Sequence, residues 1–334
     1  HFIHKHEGKA DPWLARSALN LLGLNENDTV LDPFCGSGTF IADAPLLNLN
    51  AIGVDINPLS TMITEVKCNL VHVPLPQLRE SLIRIQKRSS ASLAARDKLR
   101  SVRSELDKDS KKKLLGNEDL ILEILSIKDA IDEFSDDQSV KDFLYVILSR
   151  SITQMGAKRQ KRASSAGSSF MKDAIAFYLQ TYASQEILHR LSIEASGKCK
   201  ISTSDARDIR AVADGKVDGI VTSPPYFDAL DYVSPSLLSI RILELGGSNG
   251  SLHNETIGSK IRIADDKDTF LSDLLPESCD LLVKGLMQFG REKKARIVLR
   301  YLTDMTDCLQ QFSEVLNAKG RMIFVVGKYH NWKL

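Results

Sequence analysis

Hydrophobic and polar positions in this chain follow two regimes. Near both ends, short apolar runs stop at a carboxylate, a glycine or a proline. In between lie long charged stretches with helical spacing. The pattern predicts a first helix over Pro12 to Leu22, with Trp13, Leu14, Ala18, Leu21 and Leu22 on its apolar side. Val30 and Leu31 then read as a strand ending in Asp32, followed by a tight turn at Gly36 and Gly38 and a short helix from Thr39. A second strand, Ala51 to Val54, ends in Asp55, and a helix is predicted from Pro58 to Asn69. The proline-bearing stretch 71–76 leaves this core.

Residues 77–199 are strand-poor, with helices predicted over 77–107, 117–133, 138–155 and 169–193. The run Lys111 to Lys113 and the acidic stretch from Asp132 to Asp137 read as solvated faces. A Ser/Gly-rich loop at 156–169 carries Lys158, Arg159, Lys161 and Arg162, a composition that suits either a linker or contact with backbone phosphates. The strand pattern resumes at Lys200, with one strand ending near Asp205 and another, Gly219 to Thr222, delivering Ser223-Pro224-Pro225-Tyr226. A helix over 236–246, an irregular and then helical stretch at 248–300, and a helix from Tyr301 to Leu316 follow. The ending is a turn at Asn317 to Gly320 and an apolar strand at 321–327. No internal repeat interrupts this order.

The stretch 30–57 is a strand–turn–helix–strand unit, across whose strand ends a nucleoside can lie. Gly36 and Gly38 carry no Cβ, so the backbone can bend sharply and approach a ligand. Asp55 stands where a carboxylate accepts from ribose hydroxyls. The run from Gly36 to Ile41 lacks the third glycine of a dinucleotide fingerprint, and no Gly-Lys-Ser/Thr follows. The ligand is therefore read as neither a dinucleotide nor a triphosphate.

Composition narrows this further. A formal net charge of +1 gives no global attraction for nucleic acid, so any such binding must come from local patches. No apolar run reaches the ~20 residues a bilayer span needs. No secretory leader is seen, although the chain begins at His1 rather than Met. The cysteines Cys35, Cys68, Cys199, Cys279 and Cys308 are odd in number and unpaired in spacing, which points to a reducing, cytoplasmic setting and away from zinc. Cys35 reads as a small apolar filler. His1, His4 and His6 have no partner completing a metal set, so no metal is expected.

DPFCGSGT closely resembles the first motif of S-adenosylmethionine-dependent DNA amino-methyltransferases, which methylate exocyclic base amines. That resemblance predicts a second signature at the end of a later strand, and Ser223-Pro224-Pro225-Tyr226 supplies it. It covers about residues 1–70 and 200–334. The fold it implies is a Rossmann-like α/β domain (1–76 and 200–334) with a mostly parallel twisted sheet. Residues 77–199 would be a large helical insertion for nucleic acid or a partner. It assigns S-adenosylmethionine to Asp32, Pro33, Phe34, Cys35, Gly36, Gly38, Thr39, Asp55 and Ile56, with Asp205 and Ala206 at the adenine. His4, Lys9 and Pro12 match a further family motif walling the methionine end, with Ala10 in place of its aromatic residue. Family members continue past the last strand with a helix and hairpin, so the chain is expected to be truncated at both ends.

An exocyclic amine is a poor nucleophile because its lone pair is delocalised into the ring. Two successive prolines fix φ and remove N–H donors, so the 223–226 turn offers acceptors. Ser223 and the Pro224 carbonyl can accept from the amine while Tyr226 stacks on an extruded base. Near-attack geometry would supply most of the rate. In the family a leading serine is typical of cytosine-N4 enzymes, and Asp231-Tyr232 follows the spacing of such members. The cofactor motif precedes the catalytic motif, whereas many DNA enzymes with this signature reverse them, which leaves an RNA substrate open. The resulting reading is a methyltransferase for cytosine N4 in DNA, with adenine N6 or an RNA base as the near alternative and target recognition lodged in the insertion or a partner subunit. A nicotinamide-dependent oxidoreductase would leave the Pro-Pro turn without purpose, and an idle scaffold would leave Ser223 and Asp55 unexplained.

Overall fold

The computed structural model describes residues 3–4, 10–88, 99, 118–157, 165–213, 215–226, 233–246, 252, 254–259 and 275–327. In chain order the elements are α1 (Pro12–Leu22), β1 (Thr29–Asp32), β2 (Asn50–Asp55), α2 (Pro58–Cys68), α3 (Leu75–Lys87), α4 (Glu118–Phe134), α5 (Gln138–Ala157) and α6 (Ala166–Arg190). Then come β3 (Cys199–Thr203), α7 (Ile209–Ala213), β4 (Val217–Thr222), α8 (Ser234–Ile242), α9 (Glu277–Gln288), α10 (Glu292–Val315) and β5 (Leu316–Phe324). The chain forms two compact units. One comprises 7–64, 196–231 and 247–334, and the other 1–6, 65–195 and 232–246. None of the described helices is long and apolar enough to cross a membrane.

The first unit is an α/β layer. Among the described residues its five strands form one parallel sheet in the order β3-β2-β1-β4-β5. The chain runs outward from β1 through β2 to β3, then returns to the other side of β1 with β4. The helix α10 packs along α7. Leu31, Val54, Ile209, Ile220, Cys308 and Phe312 share a buried core with the sheet.

Several elements differ from the sequence pattern for identifiable reasons. α1 has the predicted ends: Asp11 accepts from the Trp13 and Leu14 amides, and Gly23 closes the helix at φ 66°. Its buried face, however, is Ala15, Ala18, Leu19 and Leu22, while Trp13 is 82% and Leu21 69% exposed. That face is an i, i+3, i+4, i+7 stripe, which the bulkier exposed residues obscured. The helix predicted from Thr39 is instead a series of turns ending in a 3₁₀ turn, Pro45–Leu47. Pro45 has no N–H for the Ile41 carbonyl, which takes the Ala44 amide instead. α10 begins nine residues before the predicted Tyr301 and runs directly into β5. The predicted turn at 317–320 lies within β5 as a ladder irregularity: Val217 pairs with Leu316 and Gly219 with Arg321, so two steps on β4 face five on β5.

The second unit is helical. In α5, residues Phe143 to Ser149 are all buried, so its apolar surface continues around the helix. A helix buried on every side must be wrapped, and α4, α6 and α8 pack against it. Glu123 on α4 accepts from the Ala166 and Gly167 amides at 2.7 and 2.8 Å, placing a negative charge at the start of α6. Lys128 is 4% exposed and is paired with Asp132 and Glu244, both at 2.7 Å. Of the predicted 77–107 helix, α3 covers 77–87 and stops there, with Arg88 in extended backbone. Residues 89–98 and 100–107, Lys111 to Lys113, and the basic side chains from Lys158 to Arg162 lie outside the described residues.

Gly197, on the approach to β3, has no room for a side chain. A Cβ there would stand 2.0 Å from the Leu49 carbonyl oxygen and 2.8 Å from the Pro45 Cα, both backbone atoms. Gly197→Ala is expected to lower the unfolding free energy by about 1–3 kcal/mol, the scale of overpacking, as read by urea denaturation.

Candidate active site

β1 and β4 are hydrogen-bonded neighbours in register, Val30 with Gly219 and Leu31 with Ile220. Their carboxyl ends therefore release the turn at 33–39 and the turn at 223–226 side by side. This is the position where a doubly wound sheet reverses direction and opens a crevice.

The first turn is held by polar contacts from β2 and α2. Cys35 N donates to the Val54 carbonyl at 2.9 Å, tying the turn to β2. Asp55 accepts from Gly36 N at 2.9 Å through Oδ2 and from Asn57 N at 2.8 Å through Oδ1. Thr64 of α2 donates to the Gly36 carbonyl at 2.9 Å. Gly38 sits over Thr64 at φ 72°, and a Cβ there would meet three Thr64 side-chain atoms at 2.7–3.0 Å. Both the backbone sign and the close approach therefore require glycine. Pro33, Cys35 and Thr39 are buried, while Phe34, Gly36, Asp55 and Ile56 are half-buried. Phe34 packs edge-on against Phe312, with ring centroids 5.9 Å apart.

Asp32 is fully buried beneath this turn. Its Oδ1 accepts from Phe34 N at 3.2 Å and from the Thr222 hydroxyl at 2.6 Å, while Oδ2 is buried without a hydrogen-bond partner. Burial raises its pKa to about 7, with the Asp55 charge adding to the effect and the Thr222 and Phe34 hydrogen bonds opposing it. Burial likewise pushes the Cys35 thiol well up, helped by the charges of Asp55 and Asp32. Cys35 is thus kept as a thiol, in line with a filler role.

The second turn is pinned from α10 and from the end of the sheet. Tyr301 donates to the Pro225 carbonyl at 3.0 Å, and the Gly327 amide donates to the Tyr226 hydroxyl at 2.6 Å. Val325 N donates to the Thr222 carbonyl at 2.8 Å. Ser223, Pro225 and Tyr226 are half-buried, and Pro224 is buried.

At the end of β3 the arrangement differs from a free acceptor. Asp205 is gripped by Arg207, whose Nε lies 2.9 and 3.1 Å from its two oxygens and whose amide also donates to it. Arg207 further bonds Asp304 at 2.8 Å and the Glu255 carbonyl at 3.0 Å. Ala206 is buried alongside. His4 belongs to the helical unit, where its Nε2 lies 3.1 Å from the Ser149 hydroxyl. Lys9, Asp231 and Tyr232 lie outside the described residues. Sequence reasoning missed Thr64, Thr222 and Tyr301, which act through contacts distant in the chain, and Arg207, which grips Asp205 two residues away as well as the distant Asp304. Asn57 was legible: an asparagine before Pro58 is a helix-start signal, and it accepts from the Leu59 and Ser60 amides.

Residues 5–64 match a family model described as DNA methylase. Over 351 aligned positions the chain is 22% identical to the Type II methyltransferase M.MvaI of Kocuria varians, an alignment covering 98% of this chain and 76% of that protein. Higher identity is confined to short stretches. Type II methyltransferase M.MjaII of Methanocaldococcus jannaschii is 40% identical over 67 residues, 20% of this chain and 12% of that protein. The tRNA (guanine(10)-N2)-dimethyltransferase of the same organism is 48% identical over 52 residues, 16% of this chain and 15% of that protein. No solved structure matches significantly.

The first turn fits a nucleoside-bearing methyl donor. Gly36 carries no Cβ, and the two Asp55 oxygens, which accept from the Gly36 and Asn57 amides, are the type of group that binds a ribose hydroxyl.

The state of Asp32 gives a signed prediction. Its folded pKa of about 7 exceeds the ordinary carboxylate value, so the folded protein holds the proton more tightly than the unfolded chain. Stability should therefore fall as pH rises from about 4 to about 7 and level off above, with a slope of at most about 1.4 kcal/mol for each pH unit. Urea midpoints between pH 5 and 8 should show this slope diminished in Asp32→Asn, which has no charge to bury.

Proposed function

We propose that this chain transfers a methyl group from S-adenosylmethionine to the N4 amine of cytosine in DNA. The observation that carries the reading is the adjacency of β1 and β4, which sets a glycine turn suited to the donor beside a proline turn rich in acceptors. The likeness to a Type II methyltransferase along 98% of the chain supports DNA as the substrate. It also supports a place in restriction–modification, since such an alignment keeps this chain's order of segments. The tRNA relative's shorter likeness keeps RNA as an arm of the test.

In this proposal Gly36 and Gly38 let the backbone lie against the nucleoside, and Asp55 accepts from the ribose hydroxyls. Bound S-adenosylmethionine supplies an electrophilic methyl on sulfur. Ser223 and the Pro224 carbonyl accept the amine hydrogens, which turns the nitrogen lone pair out of conjugation. Tyr226, its hydroxyl anchored by Gly327 N, offers its ring to the extruded base. No strong base is required, because the nitrogen becomes acidic once methylated. Asp205 enters as a carboxylate shared with Arg207, so an adenine amino group would meet a paired acceptor there. Residues 77–199 serve target or partner binding, and a separate subunit carrying target recognition is compatible with that role.

Incubation with methyl-labelled S-adenosylmethionine and either duplex DNA or tRNA, followed by nucleoside analysis, tests the proposal. N4-methylcytosine from DNA is the expected product. N6-methyladenine would correct the base, and label confined to RNA would overturn the DNA assignment. Ser223→Ala should lower kcat by ~100-fold, the scale of losing one preorganised transition-state hydrogen bond, with calorimetric affinity for S-adenosylmethionine unchanged.

A further inference from the structure

The two turns are joined by more than the backbone ladder. The registered pairs between β1 and β4 stop at Leu31 and Ile220. Beyond them, the residues immediately preceding each motif reach across the strands: the Thr222 hydroxyl donates to Asp32 Oδ1 at 2.6 Å. Both side chains are 0% exposed. The same Oδ1 accepts from Phe34 N, so one atom shapes the start of the glycine turn and grips the strand that delivers Ser223. Thr222 is fixed from its other side, because its carbonyl accepts from Val325 N.

We propose that Thr222, through its hydrogen bond to Asp32, is a positioning residue for methyl transfer: the bond sets the separation and angle between the glycine turn and Ser223-Pro224-Pro225-Tyr226. This rests on the activity proposed above. The physical reason is the steepness of group transfer with geometry. A misplacement of about 1 Å between donor and acceptor costs on the order of 100-fold in rate. Neither partner touches the reacting atoms in this proposal. Its signature is therefore a loss in kcat per folded molecule with the binding of both substrates retained; a contribution to folding alone would lower the folded fraction and leave kcat per folded molecule unchanged.

Thr222→Val removes the donor at nearly constant volume, and Thr222→Ser keeps it. Steady-state methyl transfer, with circular dichroism to establish folding, should give Thr222→Val a kcat about 10- to 100-fold below the parent. KM for S-adenosylmethionine and for DNA should stay within about threefold, and Thr222→Ser should restore most of the loss. Asp32→Ala should cost a similar factor in kcat. The double variant should be no worse than the poorer single, since both remove one bond. Should Thr222→Val fail to fold, Thr222→Cys, a weak donor, should fall between serine and parent on one side and Asp32→Ala on the other. A folded Thr222→Val enzyme with parental kcat, a loss carried by KM, or a loss that serine does not rescue would overturn the positioning role while leaving the activity standing. A parent protein that methylates no nucleic acid would overturn both.

Discussion

The pairing of β1 with β4 is the constraint on which the α/β unit depends. A parallel sheet has every strand ending on one edge, and each return of the chain must cross over outside it. Because the chain first runs outward from β1 through β2 to β3, the return that places β4 on the open side of β1 leaves a reversal in the middle of the sheet. Two segments nearly two hundred residues apart in sequence thereby become neighbours, whatever is inserted between them.

Polar side chains near the crevice serve the backbone before any ligand. Asp55 accepts from the Gly36 and Asn57 amides, Thr64 donates to the Gly36 carbonyl, and Tyr301 donates to the Pro225 carbonyl. Each fixes a group that a sharp turn would otherwise leave unpaired. The result is a pair of turns held in shape by the protein itself, the preorganisation on which the proposed methyl transfer would draw. The Arg207 pairing with Asp205 and Asp304 ties the end of β3 to α10 in the same manner.

Much of this was legible in the chain. Strands of four to six residues ending at Asp32, Asp55 and Thr222 announce themselves by an apolar run meeting a carboxylate or a proline. α1 was framed by Asp11, Pro12 and Gly23, residues with specific capping chemistry. The orientation of that helix was not legible, because Trp13 and Leu21 are larger than the alanines that in fact face the core. Nor was the engagement of Asp205: a neighbour two residues away can occupy a carboxylate, and spacing does not reveal whether it does. Thr222 and Tyr301 stayed silent because their roles exist only across the sheet or from a distant helix.

The irregular pairing of β5 has a consequence for the molecule's behaviour among its own copies. Of the strands described, β5 stands at one border of the sheet, where backbone groups invite another strand to add on. Between Leu316 and Arg321 the ladder loses its even spacing, and Ala318, Lys319 and Arg321 are exposed there. An incoming strand would meet a warped template carrying two positive charges. Such a surface disfavours edge-to-edge pairing with another copy.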